Sequence, residues 1–96
     1  MFQRGDIVVC VLSGDYGKPR PAVVVQSNLF NATHASVTVC PLTSHLIEAP
    51  LFRLLIEPKP ENGLTTASQI MVDKLAAIKQ DKISRKVGSL SKEQVS

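Results

Sequence analysis

The residues best suited to chemistry lie in one stretch, Gly17-Lys18-Pro19-Arg20-Pro21-Ala22-Val23-Val24-Val25-Gln26. Arg20 stands between two prolines. Proline fixes its own φ and biases the preceding residue toward extended geometry. Pro19 therefore restricts Lys18, and Pro21 restricts Arg20. The guanidinium leaves a segment with few backbone states and offers a planar fork of donors suited to phosphate oxygens. A lone arginine is ordinarily solvated or salt-bridged. A stiff one at the mouth of an apolar strand is placed to hold an anion such as a phosphate.

A second group, Thr43-Ser44-His45, follows an apolar run. It displays hydroxyls and an imidazole at a strand end, where functional residues often gather. A Ser-His-Asp reading of Ser44 and His45 fails, because adjacent residues on an extended chain point apart. The loop before Arg20 adds Asp15, a carboxylate, and Tyr16, an aromatic able to stack on an unpaired base. His34 falls in a polar loop and reads as exposed. Gln69 is expected to be structural or to support the site from behind, and Asp73 to lie in a tight turn between strands.

Composition removes several alternatives. Cys10 and Cys40 lie in apolar runs and read as buried thiols, since two cysteines make no disulfide framework. The chain has no phosphate-cradling glycine motif and no His/Cys spacing typical of a metal site. No apolar run reaches membrane-spanning length. The start, Met1-Phe2-Gln3-Arg4-Gly5-Asp6, lacks a signal-peptide layout, so a cytoplasmic protein is expected. The net charge of +3 is unevenly spread: Lys79, Lys82, Arg85 and Lys86 crowd near the C-terminus against Asp81 alone. Such a patch suits a polyanionic partner, but a charge run is more often just a solvated face.

The elements that must position these residues are short and mostly extended. Strands are predicted at Ile7 to Leu12, Ala22 to Gln26, Val37 to Leu42, Phe52 to Ile56, Ser68 to Val72 and Lys74 to Ile78. Pro41 cannot donate to a ladder and is expected at a strand end or edge. Ser27 to Ala35 reads as a loop, with a short helical turn near Leu29-Phe30. Glu57 to Gly63 carries strong turn signals, including Asn62-Gly63. Gln80 to Arg85 reads as one helical turn. Ser91-Lys92-Glu93-Gln94 has capping-box spacing, so a helix is expected to begin there. The whole chain reads as one mainly β domain, a small barrel or strongly bent sheet with a Val/Ile/Leu core.

Four blocks together resemble the MazF/PemK family of toxin endoribonucleases. They are Arg4-Gly5-Asp6-Ile7-Val8; the Gly17 to Gln26 stretch; Val39-Cys40-Pro41-Leu42-Thr43-Ser44; and Gly63-Leu64 through Ser68-Gln69-Ile70-Met71-Val72-Asp73-Lys74, closing with Val87-Gly88-Ser89-Leu90. They keep the family order over nearly all of the chain. The resemblance implies an SH3-like barrel that pairs as a homodimer, belongs to a type II toxin–antitoxin system, and cleaves single-stranded RNA without a metal or other cofactor. It implies Arg20 and Thr43 as the catalytic pair, and a cognate antitoxin as partner. Asp15, Tyr16, Lys18, Ser44, His45 and Gln69 are then expected at the RNA-binding face. It also implies a longer C-terminal helix than the sequence up to Ser96 holds, so the single domain over 1–96 reads as truncated there. Arginine is effectively never deprotonated in a protein. Arg20 is therefore expected to bind the scissile phosphate and stabilise its developing charge, with Asp15 or His45 as the base by residue type. The competing expectations are a CcdB-like toxin that binds DNA gyrase, and an SH3-like peptide-binding module. One Tyr and no Trp make a poor groove for proline-rich peptides.

Overall fold

The fold is described from a computed structural model, over residues 2–14, 16–26, 36–48 and 53–91. Among these residues seven strands form it: β1 (Asp6–Val11), β2 (Pro19–Val24), β3 (Ser36–Thr43), β4 (Arg53–Ile56), β5 (Ser68–Met71), β6 (Ala76–Lys79) and β7 (Ile83–Ser89). Their spatial order is β4-β5-β3-β2-β1-β7, with β6 added on β3. Every pairing is antiparallel. The mainly β architecture is the one expected, and β4 does not pair with β7 among the described residues, so the sheet is not closed there.

Burial follows strand parity. Val8, Cys10, Ala22, Val24, Val37 and Val39 share one core cluster, while Ile7, Val23, Cys40, Leu42, Ile56 and Ile70 share another. Successive residues on a strand point to opposite faces. The central strands are thus covered on both faces, which is why they read as continuous apolar runs.

β3 organises the sheet. Along one edge it pairs with β2, from Val24↔Val39 to Ala22↔Pro41. Along the other it pairs first with β6, over Ser36 to Val39, and then with β5, at Leu42 and Thr43. Pro41 is therefore inside a central strand, not at an end or edge. It is tolerated because it falls in the gap where β3 exchanges β6 for β5, so no ladder bond is lost there.

Three boundaries also differ from the expected ones. β2 begins at Pro19, earlier than Ala22. The strand expected from Lys74 begins at Ala76, because a 3-10 turn over Val72–Lys74 intervenes; Asp73 does lie in that turn. The helical turn expected over Gln80 to Arg85 is only a 3-10 turn at Gln80–Lys82, and β7 follows it. β7 carries exposed Arg85 and Lys86, which hide its strand character in sequence. Charges of this kind blunt a sheet edge. Long-range contacts fix the strand instead: buried Asp6 lies 3.2 Å from Lys86 Nζ and accepts the Ser89 hydroxyl at 3.2 Å. The expected Leu29-Phe30 turn, the start of the fourth strand at Phe52, His34, and residues 92–94 of the capping box lie outside the described residues.

The loop between β4 and β5 is held by Asn62, which is 1% exposed. Its Oδ1 accepts the Lys59 and Leu64 N–H groups at 3.1 and 3.0 Å, and its Nδ2 donates to the Glu57 carbonyl at 2.9 Å. Here the loop backbone meets β7 directly. A Cβ on Gly63 would lie 2.1 Å from the Val87 carbonyl oxygen, and one on Gly88 would lie 2.2 Å from the Asn62 carbonyl carbon. Both positions need glycine because backbone touches backbone.

Candidate active site

The site is the place where β2 and β3 part. Their last pair is Ala22↔Pro41. Extending that register by two residues would set Arg20 opposite Thr43. The strands do not continue, and the prolines explain why. Backbone groups alternate sides along a strand. The Val25 N–H donates to the Thr38 carbonyl on β3 at 3.0 Å. Positions 23, 21 and 19 therefore also face β3. Pro21 and Pro19 withhold the donors that would carry the ladder onward toward Leu42 and beyond. The Leu42 carbonyl instead meets the Arg20 guanidinium, 3.5 Å from Nη1. The proline pair opens the cleft and turns Arg20 across its mouth.

Two cavities flank this point. One, of about 340 Å³, is lined by Arg20, Thr43, Ser44, Thr65, Thr66 and Ser68 with Leu64 behind. The other, of about 570 Å³, is lined by Arg20, Thr43, His45, Arg53 and Lys74 beside apolar Met71. Among the described residues, only Arg20 and Thr43 are common to both linings.

Thr43 is oriented by its own chain. Its Oγ1 accepts the His45 N–H at 3.1 Å. A threonine hydroxyl has one hydrogen and two lone pairs. One lone pair is taken by the backbone, which leaves the O–H to donate outward. The loop that follows is clamped by Gln69, the ladder partner of Thr43. Gln69 Oε1 accepts the Ile47 N–H at 3.0 Å, and Gln69 Nε2 donates to the Ile47 carbonyl at 2.8 Å.

The structure thus brings together Arg20, Thr43, Ser44 and His45. Gln69 is buried behind them, with both ends of its amide engaged on Ile47. Tyr16 is 97% exposed with φ +54° and lines neither cavity; Lys18 is exposed and lines neither. Asp15 lies outside the described residues. Sequence reasoning missed Thr65, Thr66 and Arg53 as site residues. Thr65 and Thr66 follow a turn whose shape depends on Asn62. Arg53 opens a strand, and its Nε lies 3.3 Å from Asp73 Oδ1. Lys74 carried a signal, since it ends one of the blocks that support the family resemblance.

Both cysteines are free and buried. Burial raises the Cys40 thiol above its ordinary range by desolvation. No group of three or more His, Cys, Asp or Glu that could hold a metal occurs among the described residues. No helix among them is long and apolar enough to cross a membrane.

An antiparallel sheet with a cation and a hydroxyl at a proline-parted cleft defines a small β domain with one polar cleft at the parting of two central strands. The chain belongs to the PemK-like, MazF-like toxins of type II toxin–antitoxin systems, whose family model matches residues 3–96. It is 44% identical over 91 residues to Probable endoribonuclease MazF of Mycolicibacterium smegmatis, covering 94% of this chain and 83% of that protein. Among solved structures it resembles Mycobacterium tuberculosis toxin MazF-mt6, with TM-score 0.80 and 22% identity over 93% of this chain and 83% of that one. It also resembles an endoribonuclease in complex with its cognate antitoxin from Mycobacterial species, with TM-score 0.81 and 20% identity over 97% of this chain and 82% of that one. These structural likenesses establish the fold. The family match favours a PemK/MazF toxin over a CcdB-like gyrase binder.

Proposed function

We propose that this toxin is an endoribonuclease that cuts single-stranded RNA at Arg20 and Thr43, without a metal ion. The observation that carries this reading is that the two cavities share Arg20 and Thr43 and no other described residue. A strand of RNA laid from one cavity to the other would place a phosphodiester against that pair. Arg20 binds the non-bridging oxygens and stabilises the charge that develops on them, as a preorganised cation does. The Thr43 hydroxyl donates to the same phosphate.

The ribose 2′-oxygen attacks phosphorus as its proton passes to a base. The bond to the 5′-oxygen breaks, and that oxygen takes up a proton. The products are a 2′,3′-cyclic phosphate and a 5′-hydroxyl, with no net consumption of water. His45 lines the larger cavity and is of the right residue type for the proton transfers; Asp15 is the alternative base.

Purified protein incubated with a long mixed-sequence RNA in EDTA is expected to give discrete fragments with cyclic-phosphate ends. Arg20→Ala is expected to give none while retaining its fold by circular dichroism. Cleavage by Arg20→Ala at the wild-type rate would overturn the assignment.

The family relationship further supports a cytoplasmic homodimer neutralised by a cognate antitoxin. Exposed Leu54, Val72 and Leu75 line a largely apolar groove of about 270 Å³ that includes none of the cleft residues, a surface suited to a second copy. Light scattering is expected to report a dimer, and Leu75→Glu to weaken it.

A further inference from the structure

We propose that the two cavities divide the task of holding RNA: the smaller reads a base, and the larger holds backbone phosphate. This rests on the RNA-cleaving function proposed above.

The linings differ in kind. Apart from Arg20, the smaller cavity presents no charge among the described residues. It offers hydroxyls from Ser44, Thr65 and Thr66 over apolar Leu64. Thr65 and Thr66 are exposed, and their hydroxyls make no hydrogen bond to any described residue. Ser and Thr hydroxyls can donate to or accept from a base edge. The space above them is about 340 Å³.

The shelf is also stiff. The Ser68 hydroxyl donates to the Thr66 carbonyl at 3.1 Å. Asn62 ties the preceding turn through three hydrogen bonds, and Gly63 seats that turn on Val87. Rigid placement is what selective reading of a base edge requires, because a mobile hydroxyl adapts to any base.

The larger cavity carries Arg53, Lys74 and His45 beyond Arg20. Arg53 is partly offset by Asp73. Lys74 is exposed and forms no ion pair with a described residue, so it is the stronger phosphate contact. Phosphate contacts hold a strand without sequence information, whereas base-edge contacts specify it.

The test uses a randomised single-stranded RNA pool with every cut position sequenced. Alongside it, binding of a 2′-O-methyl RNA of the preferred sequence is measured against salt. The Thr65→Val, Thr66→Val double variant keeps shape and β-branching but removes both hydroxyls. It is expected to flatten the preference at one position beside the cut by about tenfold, and to leave the salt slope alone. Lys74→Gln is expected to weaken binding evenly across sequences and to lower the slope of log K against log salt by about 0.7. Lys82→Gln removes an equal charge outside both cavities and is expected to change neither.

An unchanged cut profile in the threonine double variant overturns the base-reading assignment. An unchanged salt slope in Lys74→Gln, or an altered cut profile, overturns the phosphate assignment. Failure of the underlying function looks different: wild-type protein would cut nothing, or Arg20→Ala would still cut.

Discussion

Gln69 is the residue whose loss should separate positioning from folding. Its amide donates to and accepts from Ile47 across two hydrogen bonds of 2.8 and 3.0 Å. Ile47 is 40% exposed, so water can replace both partners when the clamp is removed. The cost is then the net value of two bonds, about 1 kcal/mol each, not the larger penalty of an orphaned buried group. In Gln69→Ala the 44–48 loop should loosen by about 2 kcal/mol. The His45 N–H then no longer fixes the Thr43 hydroxyl rotor. If that hydroxyl acts on the phosphate in the transition state, about 2 kcal/mol corresponds to a roughly thirtyfold fall in kcat. KM should move less than about threefold, because the cations that hold the strand are untouched.

Gln69→Glu sharpens the test. It keeps an acceptor for the Ile47 N–H but turns an ionised oxygen toward the Ile47 carbonyl. Its kcat relative to wild type should be lowest at neutral pH. The ratio should recover as pH falls through the carboxylate range, because the protonated carboxyl again donates. The assay is single-turnover cleavage of a labelled oligonucleotide, with wild type measured at each pH as denominator. If kcat of Gln69→Ala stays within about twofold of wild type, or if the Gln69→Glu ratio is flat with pH, the clamp does not position the site.

Thr43→Val keeps shape and removes the hydroxyl; it should lower kcat about a hundredfold in the same assay while thermal unfolding moves little. Gly88→Ala should destabilise the protein by about 2 kcal/mol, read by urea or thermal unfolding, since its methyl would collide with the Asn62 backbone rather than a movable side chain. Cys40 should resist a thiol reagent at about pH 8 in the native state and react promptly in denaturant, because burial raises its thiol and lowers the thiolate fraction; rapid native labelling at Cys40 would contradict this.

How much of this could be read from the chain depends on where the determining contacts lie. The core strands were legible because no charged residue interrupts their apolar runs: Val8 to Cys10, Ala22 to Val24 and Val37 to Cys40 each carry their own signal. Arg20 was legible because both prolines are its immediate neighbours. β7 was not, because Arg85 and Lys86 disguise it and its pairing with β1 spans most of the chain. Thr65 and Thr66 were hidden for a similar reason. They fall within the Gly63 to Lys74 block, yet no chemical pattern there marks them as site residues; they reach the cleft because Asn62 folds the loop and Gly63 lets it lie on β7. Gln69 was expected to support the site, yet its particular partner, Ile47, is set by a strand register that the sequence does not display.

The proline pair invites a final prediction, since it accounts for the cleft itself. Position 21 faces β3, where its missing N–H leaves the Leu42 carbonyl to the Arg20 guanidinium. Pro21→Val would restore that donor in a residue suited to a strand. The β2–β3 ladder could then close by one more pair, and Arg20 would lose the carbonyl that holds it across the cleft. One added backbone bond is worth about 1 kcal/mol, so stability should hold or rise slightly. Cleavage should fall by at least about tenfold, because the space between Arg20 and Thr43 narrows. Hydrogen exchange of the amide introduced at position 21 distinguishes the cases. A protected amide with reduced cleavage is the expected result. A protected amide with wild-type cleavage would mean that the parting of the strands is not what makes the site.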